Sequence, residues 1–239
     1  MQIWRFFQPG ALGFTLRTVT QSAIDKIRGA PPRTTQAASY VSLHARPGDP
    51  EDVLRTLDKF ATEERWLMSV GPEKGPLVKE MVGRLPANAR ILELGAYCGY
   101  SSILLAHAFG SAARIVSVEI DENSVASTRS NLAVAGLSDR VTVIHGRSSE
   151  IIARLDGTFD LVFLDHWKDL YLPDLELIEQ RQLIKPGSVV VADNVGEIFH
   201  PEAYLDYVRN CGHYQSENRP ATIEYTTVPD AVEISVYQP

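Results

Sequence analysis

From Arg90 onward, short β-rich runs alternate with helical stretches: RILEL (90–94), RIVSVEI (114–120), VTVIHG (141–146), FDLVFLD (159–165) and SVVVADN (188–194). These runs are apolar on both faces and the stretches between them hold amphipathic helices, which predicts a parallel sheet covered on both sides. Near the end of the chain, ATIEYTTV (221–228) and VEISVYQP (232–239) flank Pro229 and Asp230. No crossover helix fits between them, so they are expected to pair antiparallel at the sheet edge, with Pro229 and Asp230 as turn residues. The pattern predicts an α/β, Rossmann-like, doubly wound and mostly parallel seven-stranded sheet, with a C-terminal antiparallel hairpin and helices on both faces.

Upstream, Asp49 followed by Pro50 opens a helix with Val53, Leu54, Leu57, Phe60 and Ala61 on one face. Proline is harmless there, because the first helical N–H has no intrahelical partner. The preceding GAPPRTTQAASYVSLHARPGDP (29–50) mixes Pro, Gly, Thr and Ser and reads as a linker. Before it, Ile3, Trp4, Phe6, Phe7, Leu12 and Phe14 lead into Leu16, Val19, Ala23, Ile24 and Ile27 at roughly helical spacing. That face suits packing on the body, self-association, or a peripheral membrane contact through residues 1–28. The expected organisation is an N-terminal helical extension and linker over 1–45 and one catalytic-sized domain over 46–239.

Composition narrows the partners. A chain of 239 residues that is 44% apolar can bury one full-sized core. A net charge of -7 argues against a nucleic-acid surface, which needs clustered Lys and Arg, and leaves a small molecule as the expected partner. The charge is uneven, since the first 46 residues carry Arg5, Arg17, Lys26, Arg28, Arg33 and Arg46 against Asp25 alone. The two cysteines, Cys98 and Cys211, make neither a disulfide framework nor a zinc pair, which fits a reducing, cytoplasmic setting. No run approaches the roughly 18 apolar residues of a membrane span.

In open α/β sheets ligands bind beyond the carboxyl ends of the strands. The first such end reads LELGAYCGYSS, where Gly95 and Gly99 permit a tight turn and Ser101 and Ser102 open an electropositive helix N-terminus. The dinucleotide spacing Gly-x-Gly-x-x-Gly is absent, so a NAD-dependent reductase is the weaker alternative. Glu119 ends the second strand, where an acid can accept from both ribose hydroxyls of a nucleoside cofactor, or simply be solvated. Ser148 and Ser149, after the third strand, can cap the next helix or face an adenine edge.

Asp165 ends the fourth strand, and Asp193 and Asn194 end the fifth. Three hard oxygens at neighbouring strand ends suit Mg²⁺. Lys168 stands three residues beyond Asp165. A partly desolvated lysine beside a divalent cation has its neutral form favoured and can take a proton. The residues from Asp169 to Asp174 are expected only to turn the chain into its next helix.

LELGAYCGYS, FLDHWKDLYLPD, ADNV, RWLMSVGPEKG (65–75) and the terminal IEY resemble the catechol O-methyltransferase family, from about Arg46 to Pro239. The resemblance implies S-adenosyl-L-methionine and Mg²⁺ as cofactors and a catechol as substrate. It implies Asp165, Asp193 and Asn194 as metal ligands and Lys168 as general base. Cofactor contacts would come from Val70, Glu93, Gly95, Tyr97, Ser101, Glu119, Ile120, Ser148, Asp165, His166 and Trp167. Trp66, Met68, Trp167, Lys168, Asn194, Ile198 and Glu224 would meet the substrate, Glu224 through its second hydroxyl. Two departures stand out: Ile198 replaces a proline wall familiar in animal enzymes, and Arg147-Ser148-Ser149 replaces the usual Ala-Ser-Gln.

Overall fold

The computed structural model describes residues 29–239, apart from the side chains of Lys79 and Val82. The apolar face predicted over 1–28, with its self-association or membrane role, lies outside the described residues. The strands are β1 (Arg90–Leu94), β2 (Arg114–Glu119), β3 (Val141–His145), β4 (Phe159–Leu164), β5 (Ile184–Ala192), β6 (Tyr214–Thr222) and β7 (Pro229–Tyr237). They form one seven-stranded sheet in the order β3-β2-β1-β4-β5-β7-β6. Strands β1 to β5 are parallel, while β7 runs antiparallel to both β5 and β6. The chain winds outward from β1 to β3, then returns to β4 on the other side of β1. That reversal opens a crevice at the carboxyl ends of β1 and β4.

The side-chain alternation of the strands divides the core. Ile91, Leu161, Phe163, Val189 and Val191 face one apolar cluster, and Leu92, Val162, Leu164, Val190 and Ala192 face the other. The first face is covered by α1 (Arg33–His44), α2 (Pro50–Lys59), α3 (Gly75–Val82), α4 (Tyr100–Ala108) and α5 (Glu122–Val134). The second is covered by α6 (Ser148–Ile152), α7 (Tyr171–Gln180) and α8 (Glu202–Asn210). Helix α2 begins as its sequence predicts, with Pro50 in the first turn and the Asp49 carboxylate accepting from Asp52 N at 3.0 Å. Its predicted face of Val53, Leu54, Leu57, Phe60 and Ala61 is buried throughout. A π-helical turn over Phe60–Glu64 ends it and leads into the segment carrying Trp66 and Met68.

Three expectations are corrected. The stretch read as a linker contains α1, which packs against α5 through Ala37 and Val41. Thr34, Ala37, Ala38 and Val41 follow a helical period, but small and hydroxylated residues make that stripe faint. The first strand of the hairpin is Tyr214–Thr222 rather than 221–228, and Ile223 to Val228 form the connection. Its sequence, YQSENRPAT, is polar and carries Pro220, as suits an exposed edge that must not recruit another strand. Asp230 is not a turn residue: it lies in β7 opposite Ala221 and is buried.

Candidate active site

Leu164 and Ala192 are register partners, so β4 and β5 end side by side and deliver Asp165 next to Asp193 and Asn194. Lys168 reaches back over this edge from the short 3-10 turn after β4. Its Nζ lies 3.4 Å from Asp165 Oδ1 and 3.3 Å from Asn194 Oδ1, and donates to Tyr171 Oη at 2.6 Å. Tyr171 is fully buried, and its hydroxyl is within 2.8 Å of Leu164 O and 2.9 Å of Asp193 O. Lys168 is thus held, through Tyr171, by the backbone at the ends of β4 and β5.

Asp193 is buried, and the two oxygens of its carboxylate differ. Oδ1 accepts from Lys74 Nζ at 2.6 Å and from Asn194 N at 2.7 Å, whereas Oδ2 is buried with no partner. A buried anionic oxygen left unpaired is costly. A divalent cation is the group that would satisfy it together with the Asp165 and Asn194 oxygens, so these residues fit Mg²⁺. Burial pushes the Asp165 carboxyl well above the usual carboxylate range; Lys168 opposes this and Asp193 adds to it. Bringing a cation to such a pair reverses that penalty.

Lys74 is the residue the sequence reading missed. It is 2% exposed and stands at the N-cap of α3. Its Nζ donates to Asp193 Oδ1 and Glu224 Oε1, both at 2.6 Å, and to Asp230 Oδ2 at 3.2 Å. Burial works against this ammonium, but the three carboxylates outweigh it and hold its pKa well above the ordinary lysine value. Asp193, Glu224 and Asp230 offer oxygens within 4.8 Å of one another, a spacing a metal could also use. The lysine ammonium already donates to all three acids of that trio, so the ligand set facing Lys168 is the better metal candidate. Nothing local in GPEKG marks this lysine as buried; only the unbalanced acids elsewhere could have signalled it.

Around the β1 end, Gly95, Tyr97 and Gly99 all have positive φ, at 101°, 50° and 84°. A Cβ on Gly95 would collide with the carbonyl of Asp165. Glu119 holds the loop: Oε2 accepts from Ala96 N at 3.2 Å and Tyr97 N at 2.9 Å, and Oε1 from Asp121 N at 2.9 Å. A carboxylate has about four acceptor positions, so it retains room for a further donor. Glu93 is fully buried beneath, with Oε2 bonded to Ser102 and Ser117 and Oε1 buried without a partner. That orphaned oxygen fits a ligand ammonium. Ser101 is buried at the start of α4. Gly95→Ala is expected to abolish cofactor binding, because it adds both a steric clash and a strained φ; calorimetric titration of the folded variant checks this.

Beyond Asp165, His166 is oriented by Asp174, with 2.8 Å between Nε2 and Oδ2. A carboxylate can only accept, so Nε2 carries the proton, and burial lowers the ring pKa against the opposing effect of Asp174. The neutral ring leaves Nδ1 as a buried acceptor without a partner. Asp174, expected only to help turn the chain, thus sets a tautomer at the site.

The remaining predicted residues lie at varying depth. Trp66 donates Nε1–H to Glu224 O at 3.1 Å and packs with Ile198 and Phe199 around Ile223 and Val228. Phe199, also missed, has its ring 5.8 Å from Lys168 Nζ. Val70 is buried, while Met68, Ile120 and Trp167 are 52%, 50% and 69% exposed. Ser148 is half-buried in the first turn of α6, and the N-cap there is Arg147, which makes no side-chain cap bond. Of the two roles open to Ser148 and Ser149, capping is not the one seen at this N-cap.

A family model described as "Methyltransferase domain" matches residues 92–195. The chain is 40% identical over 204 residues to "Catechol O-methyltransferase" of Mus musculus, covering 83% of this chain and 76% of that protein. The chain belongs to the catechol O-methyltransferase family. "Catechol O-methyltransferase B" of Danio rerio is 39% identical over 224 residues, 92% of this chain and 84% of that one. An O-methyltransferase of Streptomyces achromogenes, solved with S-adenosylmethionine, superposes with a TM-score of 0.66 at 25% identity, covering 78% of this chain and 89% of that one. Family membership makes this protein an S-adenosylmethionine-dependent O-methyltransferase and accounts for a crevice bounded by the Gly95 loop on one side and Asp165 on the other. Among the described residues no helix is long and apolar enough to cross a membrane.

Proposed function

We propose that this protein transfers the methyl group of S-adenosylmethionine to one hydroxyl of a catechol, with Mg²⁺ on Asp165, Asp193 and Asn194 and with Lys168 as general base. The observation that carries this reading is the position of Lys168, whose Nζ stands between Asp165 Oδ1 and Asn194 Oδ1 at 3.4 and 3.3 Å. Mg²⁺, when bound, would polarise the catechol hydroxyl and lower its pKa.

Lys168 takes the phenol proton, and Tyr171 fixes the amine for that transfer. The phenol oxygen then attacks the methyl carbon; a C–O bond forms, the S–C bond breaks, and S-adenosylhomocysteine leaves. Phenolate and sulfonium charges cancel in the transition state, so a water-poor site favours the reaction. Trp66 and Ile198 wall the ring, and Met68 and Trp167 are the further substrate contacts of this reading. Glu224 faces the second hydroxyl; burial pushes its carboxyl up to about 7, with Lys74 opposing. Val70, Glu93, Gly95, Tyr97, Ser101, Glu119, Ile120, Ser148, Asp165, His166 and Trp167 are the proposed cofactor contacts, with Glu93 Oε1 suited to the ammonium and His166 Nδ1 to an N–H donor. The two-cysteine composition supports a reducing, cytoplasmic setting.

Purified protein is expected to methylate catechol only with both S-adenosylmethionine and Mg²⁺ present. Undiminished product formation after chelation would overturn the reading.

A further inference from the structure

Asn194 presents an amide whose two ends are chemically opposite: Oδ1 can ligate a cation, whereas Nδ2 would repel it. Its Nδ2 donates to Asp230 Oδ2 at 2.8 Å and to Glu224 Oε1 at 3.2 Å, and its Oδ1 faces the Lys168 ammonium. Two carboxylates on one side can be satisfied only by the NH₂ end, so this orientation follows from donor and acceptor chemistry. Asp230 is itself fixed on three sides. Its Oδ2 also accepts from Lys74 Nζ at 3.2 Å, and its Oδ1 accepts from Gly196 N at 3.0 Å. Gly196 leaves no slack, since a Cβ there would meet Asp230 Cα at 2.6 Å and Oδ1 at 2.7 Å. Asn194 has a φ of 53°, a conformation that costs energy and persists only where the surroundings hold it.

We infer that Asp230 is a positioning residue for the metal site: it locks the Asn194 amide with Oδ1 toward the cation, while Lys74 anchors Asp230 and turns Asp193 so that Oδ2 stays free. Asp230 touches neither metal nor substrate in this scheme. The inference rests on the reading of Asp165, Asp193 and Asn194 as the metal ligands.

Asp230→Asn isolates the effect. The new amide must point its NH₂ either at Gly196 N–H or at Lys74 and Asn194 Nδ2, so a donor faces a donor in both orientations. In the second, Asn194 gains by rotating its own oxygen inward, away from the metal.

The experiment titrates full-length wild-type protein and Asp230→Asn with Mn²⁺, followed by electron paramagnetic resonance, and titrates both with S-adenosylmethionine by calorimetry. The expected result is about ten- to hundredfold weaker Mn²⁺ binding in the variant, with unchanged S-adenosylmethionine affinity and with kcat recovering at saturating metal. Equal Mn²⁺ affinity in the two proteins would overturn the inference. So would a variant that neither melts cooperatively nor binds S-adenosylmethionine, because Asp230 would then be required for folding. A wild-type protein that binds no Mn²⁺ would instead remove the metal-site reading beneath it, a distinguishable outcome.

Discussion

Lys168→Ala is expected to lower catechol turnover by about 10²- to 10⁴-fold, the usual worth of a positioned general base, while leaving S-adenosylmethionine affinity unchanged. The alanine also removes positive charge from beside Asp165 Oδ1 and Asn194 Oδ1, so it cannot by itself separate proton transfer from charge balance. Lys168→Arg separates them. Arginine keeps the charge but does not give up its proton at any accessible pH, and its activity should stay as low as that of alanine. Single-turnover rates of both variants at saturating catechol check this; an arginine variant near wild-type rate would mean that Lys168 serves only as a counter-charge.

Lys74→Met is expected to destabilise the fold by about 3–5 kcal/mol, because it leaves buried carboxylates without their cation. For a domain of this size that corresponds to a melting temperature lower by on the order of 10 °C. Methionine matches the length of the lysine stem, so the loss measures charge more than cavity. Asp193, Glu224 and Asp230 are 1%, 2% and 6% exposed, which leaves little water to take over. Thermal melts of the two proteins test it, and a variant melting with wild type would show that the trio does not require the ammonium.

Much of the fold was legible because parallel strands buried on both faces leave unbroken apolar runs; RILEL matches β1 residue for residue. The polar edge strand β6 was misplaced, since an exposed edge is defended by residues that hide its strand character. The small-residue helix α1 was hidden for a similar reason: Thr34 and Ala37 pack closely but carry little apolar weight.

The site divides along the same line. Asp165, Asp193, Asn194 and Lys168 were readable because each sits at or just beyond a strand end, where sequence order predicts spatial neighbourhood. Lys74, Asp230 and Asp174 were not, because their roles depend on pairings across the fold. A glutamate-lysine-glycine loop and a proline-aspartate dipeptide look solvent-bound until the residues they face are known.

The partners of Lys74 lie 119, 150 and 156 positions away along the chain. Contacts of such separation close long loops at an entropic cost. Two of the three acids come from the β6–β7 connection and from β7 itself. The Lys74 ammonium therefore has its full set of acceptors only with β7 in place between β5 and β6. The same strand that joins β6 to the rest of the sheet thus also carries Asp230 to Lys74.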